Sequence, residues 1–175
     1  MKRAVGLAIV LASSAALLPT PAWATAGENE WRAGLGTSFS PWALAGLELG
    51  WLHDLTDFWG AGATLRDRRS LRSLPDGTAA ISADVRFVVD ALQWIPALGM
   101  GFGAAVGNDG RGGSNGVEML PYLRFEASLA YRPARTWGVV LHVGADHYGG
   151  QDGSFVGTVS LSYQMYTGNG SGLDL

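Results

Sequence analysis

The segment from Thr78 to Val89, T-A-A-I-S-A-D-V-R-F-V-V, separates into two sets when every second residue is read. Ala79, Ile81, Ala83, Val85, Phe87 and Val89 form one set, and Ala80, Ser82, Asp84, Arg86 and Val88 the other. Side chains alternate across a strand, so one face is wholly apolar while the other carries an acid and a base two residues apart. A helix, with its period of 3.6, would scatter this pattern around its circumference. The apolar face needs an apolar partner, and that partner is either a protein core or lipid.

The same alternation recurs along the chain. It spans Glu30 to Ser38, Trp42 to Leu52, Phe58 to Arg66, Thr78 to Val89, Pro96 to Val106, Val117 to Tyr131, Trp137 to Ala145 and Phe155 to Tyr166. These are eight segments of about 9 to 12 residues, the length of a tilted strand that crosses a bilayer. Short turns follow the second, fourth and sixth segments, whereas the links after the third, fifth and seventh are longer. Only the first link, Phe39-Ser40-Pro41, is short on the long-loop side. Outer-membrane barrels have short periplasmic turns and longer external loops, which is this pattern.

The amino terminus reads as an export signal. Lys2 and Arg3 precede an apolar run from Ala4 to Leu18, and Ala22-Trp23-Ala24 supplies an A-x-A cleavage pattern. Residues 1–24 are therefore expected to be a signal peptide, with the folded part beginning at Thr25. The absence of cysteine excludes a disulfide framework and the lipidated cysteine of a lipoprotein. Downstream of the signal there is no lysine, although a soluble domain ordinarily wets its surface with Lys and Glu.

Three features turn the apolar face toward lipid. Every ionisable residue within the segments lies on the other face: Arg32, Glu48, Asp84, Arg86, Arg124, Glu126 and His142. An Arg facing lipid at mid-bilayer costs about 2–4 kcal/mol, which selects for that segregation. The charged face is otherwise Gly, Ser, Ala and Thr, and the interior of an eight-stranded barrel has room for few large side chains. Glycine on a solvent-facing strand would only weaken it. The aromatic residues of the apolar face (Trp31, Trp51, Trp59, Tyr131, Trp137, Phe155 and Tyr163) stand at segment ends, where headgroups would lie.

In strand number, alternation and aromatic ends, Glu30 to Tyr166 resembles the small bacterial outer-membrane β-barrel family that includes the transmembrane domain of OmpA and the OmpX-like proteins. The resemblance rests on pattern and carries no sequence signature. It implies an all-β, eight-stranded, antiparallel up-and-down transmembrane β-barrel over residues 25–166, with a loose tail at 167–175. It also implies a Gram-negative outer membrane, contact with outer-membrane lipid and lipopolysaccharide, delivery by the barrel-assembly machinery, and a monomer. No cofactor, metal or nucleic acid is expected. Such barrels often end on an aromatic residue read during assembly, whereas here nine residues follow Tyr166.

Excluding the rim, the inward set holds Arg32, Arg86 and Arg124 against Glu48, Asp84 and Glu126. Equal numbers in a narrow interior point to a paired network, because an unpaired buried charge costs several kcal/mol; the resemblance implies the same. A gated pore, in which pairs exchange partners, is the functional alternative. Arg66, Arg68, Arg69 and Arg72 crowd what reads as one outer loop, and their guanidinium groups suit the phosphates of lipopolysaccharide. His142, Asp146 and His147 fall at the rim of the seventh segment, where a lipid-modifying outer-membrane enzyme would hold a His–acid pair. The H-x-S of the small deacylases is absent, since Val143 and Gly144 follow His142. Gly99 to Ala104 matches a dinucleotide-binding spacing but lies inside a strand and opens no helix. The expected function is a non-catalytic barrel with a structural, adhesive or loop-mediated interaction role.

Overall fold

The computed structural model describes residues 26–39, 43–70, 77–89, 93–108, 118–149 and 154–168. Eight strands follow one another: β1 (Asn29–Phe39), β2 (Ala43–Asp54), β3 (Trp59–Ser70), β4 (Gly77–Val88), β5 (Trp94–Asn108), β6 (Glu118–Ala134), β7 (Trp137–Tyr148) and β8 (Ser154–Thr167). Each pairs antiparallel with the next, and β8 pairs back onto β1, so the sheet is a closed barrel without an edge. Closure satisfies every strand's backbone groups internally, which a bilayer core demands. The expected signal peptide and residues 169–175 of the expected tail lie outside the described residues.

Closure also fixes the stagger. A row of paired residues leaves β1 at Asn29, passes His53, Ala61, Val85, Met100, Phe125, Ala145 and Gly157, and re-enters β1 at Phe39, ten residues further on. For eight strands such a shear goes with a strand tilt of roughly 35–45° and an interior only wide enough for side chains. The narrowness explains the inner glycines. A Cβ at Gly46 would lie 1.8 Å from the carbonyl oxygen of Asp67, and one at Gly62 would lie 2.0 Å from that of Trp51.

The outward set is apolar and exposed, with Leu35 68%, Leu98 63% and Phe102 65% accessible. An unbroken apolar belt of this kind is unusual on a protein that faces water. Among the described residues, however, outward tryptophan and tyrosine gather at one end. Trp31, Trp51, Trp59, Trp94, Tyr131, Trp137 and Tyr163 all lie near the chain termini and the turns at 55–58 and 135–136, here called the terminal end. Several touch, as Trp94 does Tyr131 with ring centroids 4.8 Å apart. At the opposite, loop end the described outward aromatics are Phe39 and Phe155, joined by His147 and an Asp67–Arg69 ion pair of 2.9 Å.

Several strands run further than the alternation suggests, and this changes side-chain placement. β3 continues to Ser70, so Asp67 to Arg69 are strand residues rather than a loop; Arg66 and Arg68 point inward, and Arg69 points outward. β6 reaches Ala134 through a register shift between Tyr131 and Ala134, and Arg132, continuing the alternation of Arg124, Glu126 and Ala130, is buried inside. β7 reaches Tyr148, so Asp146 and His147 belong to its two opposite faces.

Candidate functional site

The barrel interior is one continuous ladder of charged and polar side chains. At the terminal end, Arg132 Nη2 donates to Glu28 Oε2 at 2.9 Å, and the Arg132 guanidinium lies 3.7 Å over the Tyr166 ring. Tyr166 Oη donates to Gln164 Oε1 at 2.7 Å, and Gln164 Nε2 donates to Glu30 Oε1 at 2.7 Å. Glu30 in turn binds Arg86 Nη2 at 2.7 Å and Arg32 Nε at 3.3 Å, while Asp54 stands 3.3 Å from Arg86. In the middle, Arg32 reaches Glu126 at 3.6 Å, and Glu126 also contacts Arg124 and lies 3.3 Å from His142 Nδ1. Toward the loop end, Glu48 takes Arg66 Nε at 2.9 Å and Arg124 Nη2 at 3.3 Å. Arg66 Nη1 donates to both Asp146 oxygens at 2.8 and 2.9 Å and to Tyr122 Oη at 3.3 Å.

The six residues expected inside, Arg32, Glu48, Asp84, Arg86, Arg124 and Glu126, all face the interior. Their partners differ from a simple cross-barrel exchange. Arg124 stands 3.8 Å from Asp84, but Arg86 turns to Glu30 and Asp54 instead of Glu126. Asp84 is held chiefly by hydroxyls, accepting from Ser82 Oγ at 2.8 Å and from Thr64 Oγ1. The alternation of β1 already placed Glu30 on the inward face beside Arg32. Arg66 closes the third alternating segment on its inward face; Asp54, Arg68, Arg132 and Asp146 join the same interior because their strands are longer than the hydrophobic pattern alone marks out, and Glu28 joins it from just before β1.

The arginine cluster expected on one outer loop is therefore divided. Arg66 and Arg68 are buried in the barrel, at 3% and 2% exposure, and are not displayed on an outer loop or on the outer wall. Arg69 does face outward, beside Asp67, and Arg72 lies outside the described residues. The rim trio is divided as well. His142 and Asp146 are buried in the interior, and Asp146 is bound by Arg66. His147 is on the opposite face, its ring 4.6 Å from that of Phe155. The three do not converge on a point where a substrate could sit.

Packing fills most of what the ladder leaves. Val88, Ile95, Ala97, Ala130 and Val140 make an apolar cluster on the β4–β7 side of the terminal end. Two cavities among these side chains and the ladder measure ≈ 10 Å³ each, room for about one water apiece. Among the described residues no group of His, Cys, Asp and Glu has the arrangement of a metal site.

No protein-family model matches the chain, and no curated protein sequence matches it. Solved structures do. The N-terminal β-barrel domain of Pseudomonas aeruginosa OprF aligns with a TM-score of 0.61 at 15% identity, covering 80% of this chain and 98% of that one. Neisserial surface protein A aligns at 0.59 and 12% identity, covering 81% and 96%. The attachment invasion locus protein Ail of Yersinia pestis aligns at 0.51 and 18% identity, covering 81% and 99%. At such identities the likeness is one of fold, and the fold is that of the small eight-stranded outer-membrane β-barrels.

Proposed function

We propose that the protein is a non-catalytic outer-membrane β-barrel whose interior is a structural plug and whose interactions are made at its loop end. The terminal end, with its short turns and tryptophans, would face the periplasm, and the loop end the exterior. The observation that carries this reading is the continuous ion-paired ladder from Glu28 to Asp146, packed so closely that the cavities beside it measure ≈ 10 Å³. A water-filled channel has no such ladder across its bore. The division of His142, Asp146 and His147 between two faces of β7 favours a binding or structural role over lipid chemistry.

Outside the barrel, Arg69 is the remaining described member of the arginine cluster that suits a lipopolysaccharide phosphate. Ail, whose name records attachment and invasion, gives a precedent for interaction through a barrel of this size.

Planar-bilayer recordings test the plug. The purified protein is expected to show no steady conductance, whereas reproducible unitary steps would replace this reading with a gated pore. A heat-modifiability gel on the detergent-extracted envelope tests the location. The boiled and unboiled chain should migrate differently, and recovery in the soluble fraction with a single mobility would refute membrane residence.

A further inference from the structure

We infer that the loop-end mouth of the barrel contains a binding site for an oxyanion, phosphate or sulfate, built on the guanidinium of Arg68. Arg68 is 2% exposed, yet Nε, Nη1 and Nη2 all lack a hydrogen-bond acceptor among the described residues. Its direction is set by glycine. Gly36, Gly46 and Arg68 are consecutive partners across β1, β2 and β3, and a Cβ at Gly36 would come within 2.9 Å of both Nη1 and Nη2. The side chain therefore lies across two bare strands, and its tip rests over β1.

The acceptors that could neutralise it are already committed. Glu48 Oε2, the nearest carboxylate oxygen at 3.8 Å, is bound by Arg66 Nε at 2.9 Å and accepts from Ser160 Oγ at 3.4 Å. Glu48 Oε1 faces Arg124, and both Asp146 oxygens accept from Arg66 Nη1. Arg124 is further engaged by Glu126 and Asp84, so of the three guanidinium groups here, Arg66, Arg68 and Arg124, Arg68 alone makes no hydrogen bond to a carboxylate among the described residues. Ser38, two residues beyond Gly36 on the same inward face of β1, is also 2% exposed with an unpartnered hydroxyl.

A buried guanidinium whose three nitrogens find no acceptor among the described residues, with an unpartnered hydroxyl on the same inward face, matches an incoming anion. Water could hydrogen-bond to Arg68 but would not neutralise it, and an uncompensated buried charge is costly. The planar guanidinium fork presents two parallel N–H donors to a pair of oxygens, and a tetrahedral oxyanion keeps a further oxygen for a hydroxyl such as that of Ser38. The site does not depend on whether the barrel conducts.

Thermal unfolding of the intact protein in a neutral, phosphate-free detergent tests the site, with sulfate or inorganic phosphate replacing chloride at constant ionic strength. A saturable rise in the unfolding midpoint is expected. Arg68→Gln should raise the apparent dissociation constant at least about tenfold, the loss of one charge-assisted contact. Arg69→Gln, which alters an outward residue paired to Asp67, should leave the constant unchanged. A midpoint that does not respond to either oxyanion, or an equal response in Arg68→Gln, overturns the proposal. Should Arg68→Gln fail to fold, the native protein decides through the NMR signals of its arginine Nε–H groups. A selective, saturable shift of the Arg68 signal supports the site, and an unmoved signal refutes it. Adding phosphorylated or dephosphorylated lipid A to the micelles separates the sources. Saturation by the free ion alone identifies a soluble anion, competition by the phosphorylated lipid alone identifies a headgroup phosphate, and a response to neither overturns the site.

Discussion

At the terminal end of the interior Arg86 and Arg132 are both hydrogen-bonded to carboxylates, whereas at the loop end one guanidinium, that of Arg68, is not. Glu28, Glu30 and Asp54 meet Arg86, Arg132 and Arg32 at the first, and Glu48 and Asp146 meet Arg66, Arg68 and Arg124 at the second, with Glu126 and Asp84 also against Arg124. Glu30 shows what the terminal end achieves, since Arg86, Arg32 and Gln164 all reach it within 3.3 Å. Arg68 shows what the loop end leaves over, a guanidinium no nearer than 3.8 Å to any shared carboxylate. An acid is satisfied by hydroxyl and amide donors, as Thr64 and Ser82 satisfy Asp84 and Gln164 satisfies Glu30, and an arginine by an acceptor oxygen, as Tyr122 serves Arg66; Arg68 has neither carboxylate nor hydroxyl oxygen in hydrogen-bond reach among the described residues. Pairing by total charge is therefore a poor guide to pairing by position.

The comparison can be broken from either end. Glu48→Ala should have the largest effect, because it strips Arg66, Arg68 and Arg124 of a shared partner; breaking a buried pair costs about 3–5 kcal/mol, and urea unfolding in bilayer vesicles should show it. Glu30→Ala is expected to cost less, about 2–3 kcal/mol by the same reasoning, since Arg86 keeps Asp54 and Arg32 keeps Glu126. An equal loss at both sites would deny that the two ends differ. Arg68→Leu, measured in sulfate- and phosphate-free buffer, should raise stability by about 1 kcal/mol, because it replaces a buried charge whose carboxylate contact is a shared one at 3.8 Å with an apolar side chain. A loss of stability there would show that Arg68 is adequately paired after all. Arg69→Ala removes a half-exposed, screened ion pair and should shift unfolding by no more than about 0.5 kcal/mol.

Much of this architecture is legible in the amino-acid order. Alternation alone assigns Asp84 and Arg86 to one face and Ile81, Val85 and Phe87 to the other, and the eight repeats of that pattern give the barrel. Strand ends are less legible, because the pattern weakens where charge begins. The run Asp67-Arg68-Arg69-Ser70 reads as a loop by composition, yet pairing with Leu44 to Leu47 holds it in β3. Pro133 reads as the end of a segment, but it sits beside a register shift that lets β6 continue. Which charges meet was not legible at all. Arg66 and Asp146 are 80 residues apart in sequence, and only the ten-residue stagger acquired on closure brings them to one level. The single-ended aromatic girdle was likewise hidden, because it appears only once strand directions assign every segment end to one rim or the other.

That girdle makes the barrel a post fixed at one level. Tryptophan and tyrosine favour the headgroup boundary, so the seven at the terminal end hold that rim at constant depth. At the loop end Asp67 and Arg69 only mark where apolar surface stops. A bilayer that thickens or thins must then change how much of the loop end is submerged, while the other rim stays in place. Depth-dependent quenching by brominated lipids in a Trp42→Phe variant should accordingly report the terminal-end tryptophans at one constant distance from the nearer headgroups across acyl chains of different length. A drift of that distance with chain length would mean that the barrel floats freely. In a membrane of varying thickness, the exposure of the interacting surface would be set by the lipid.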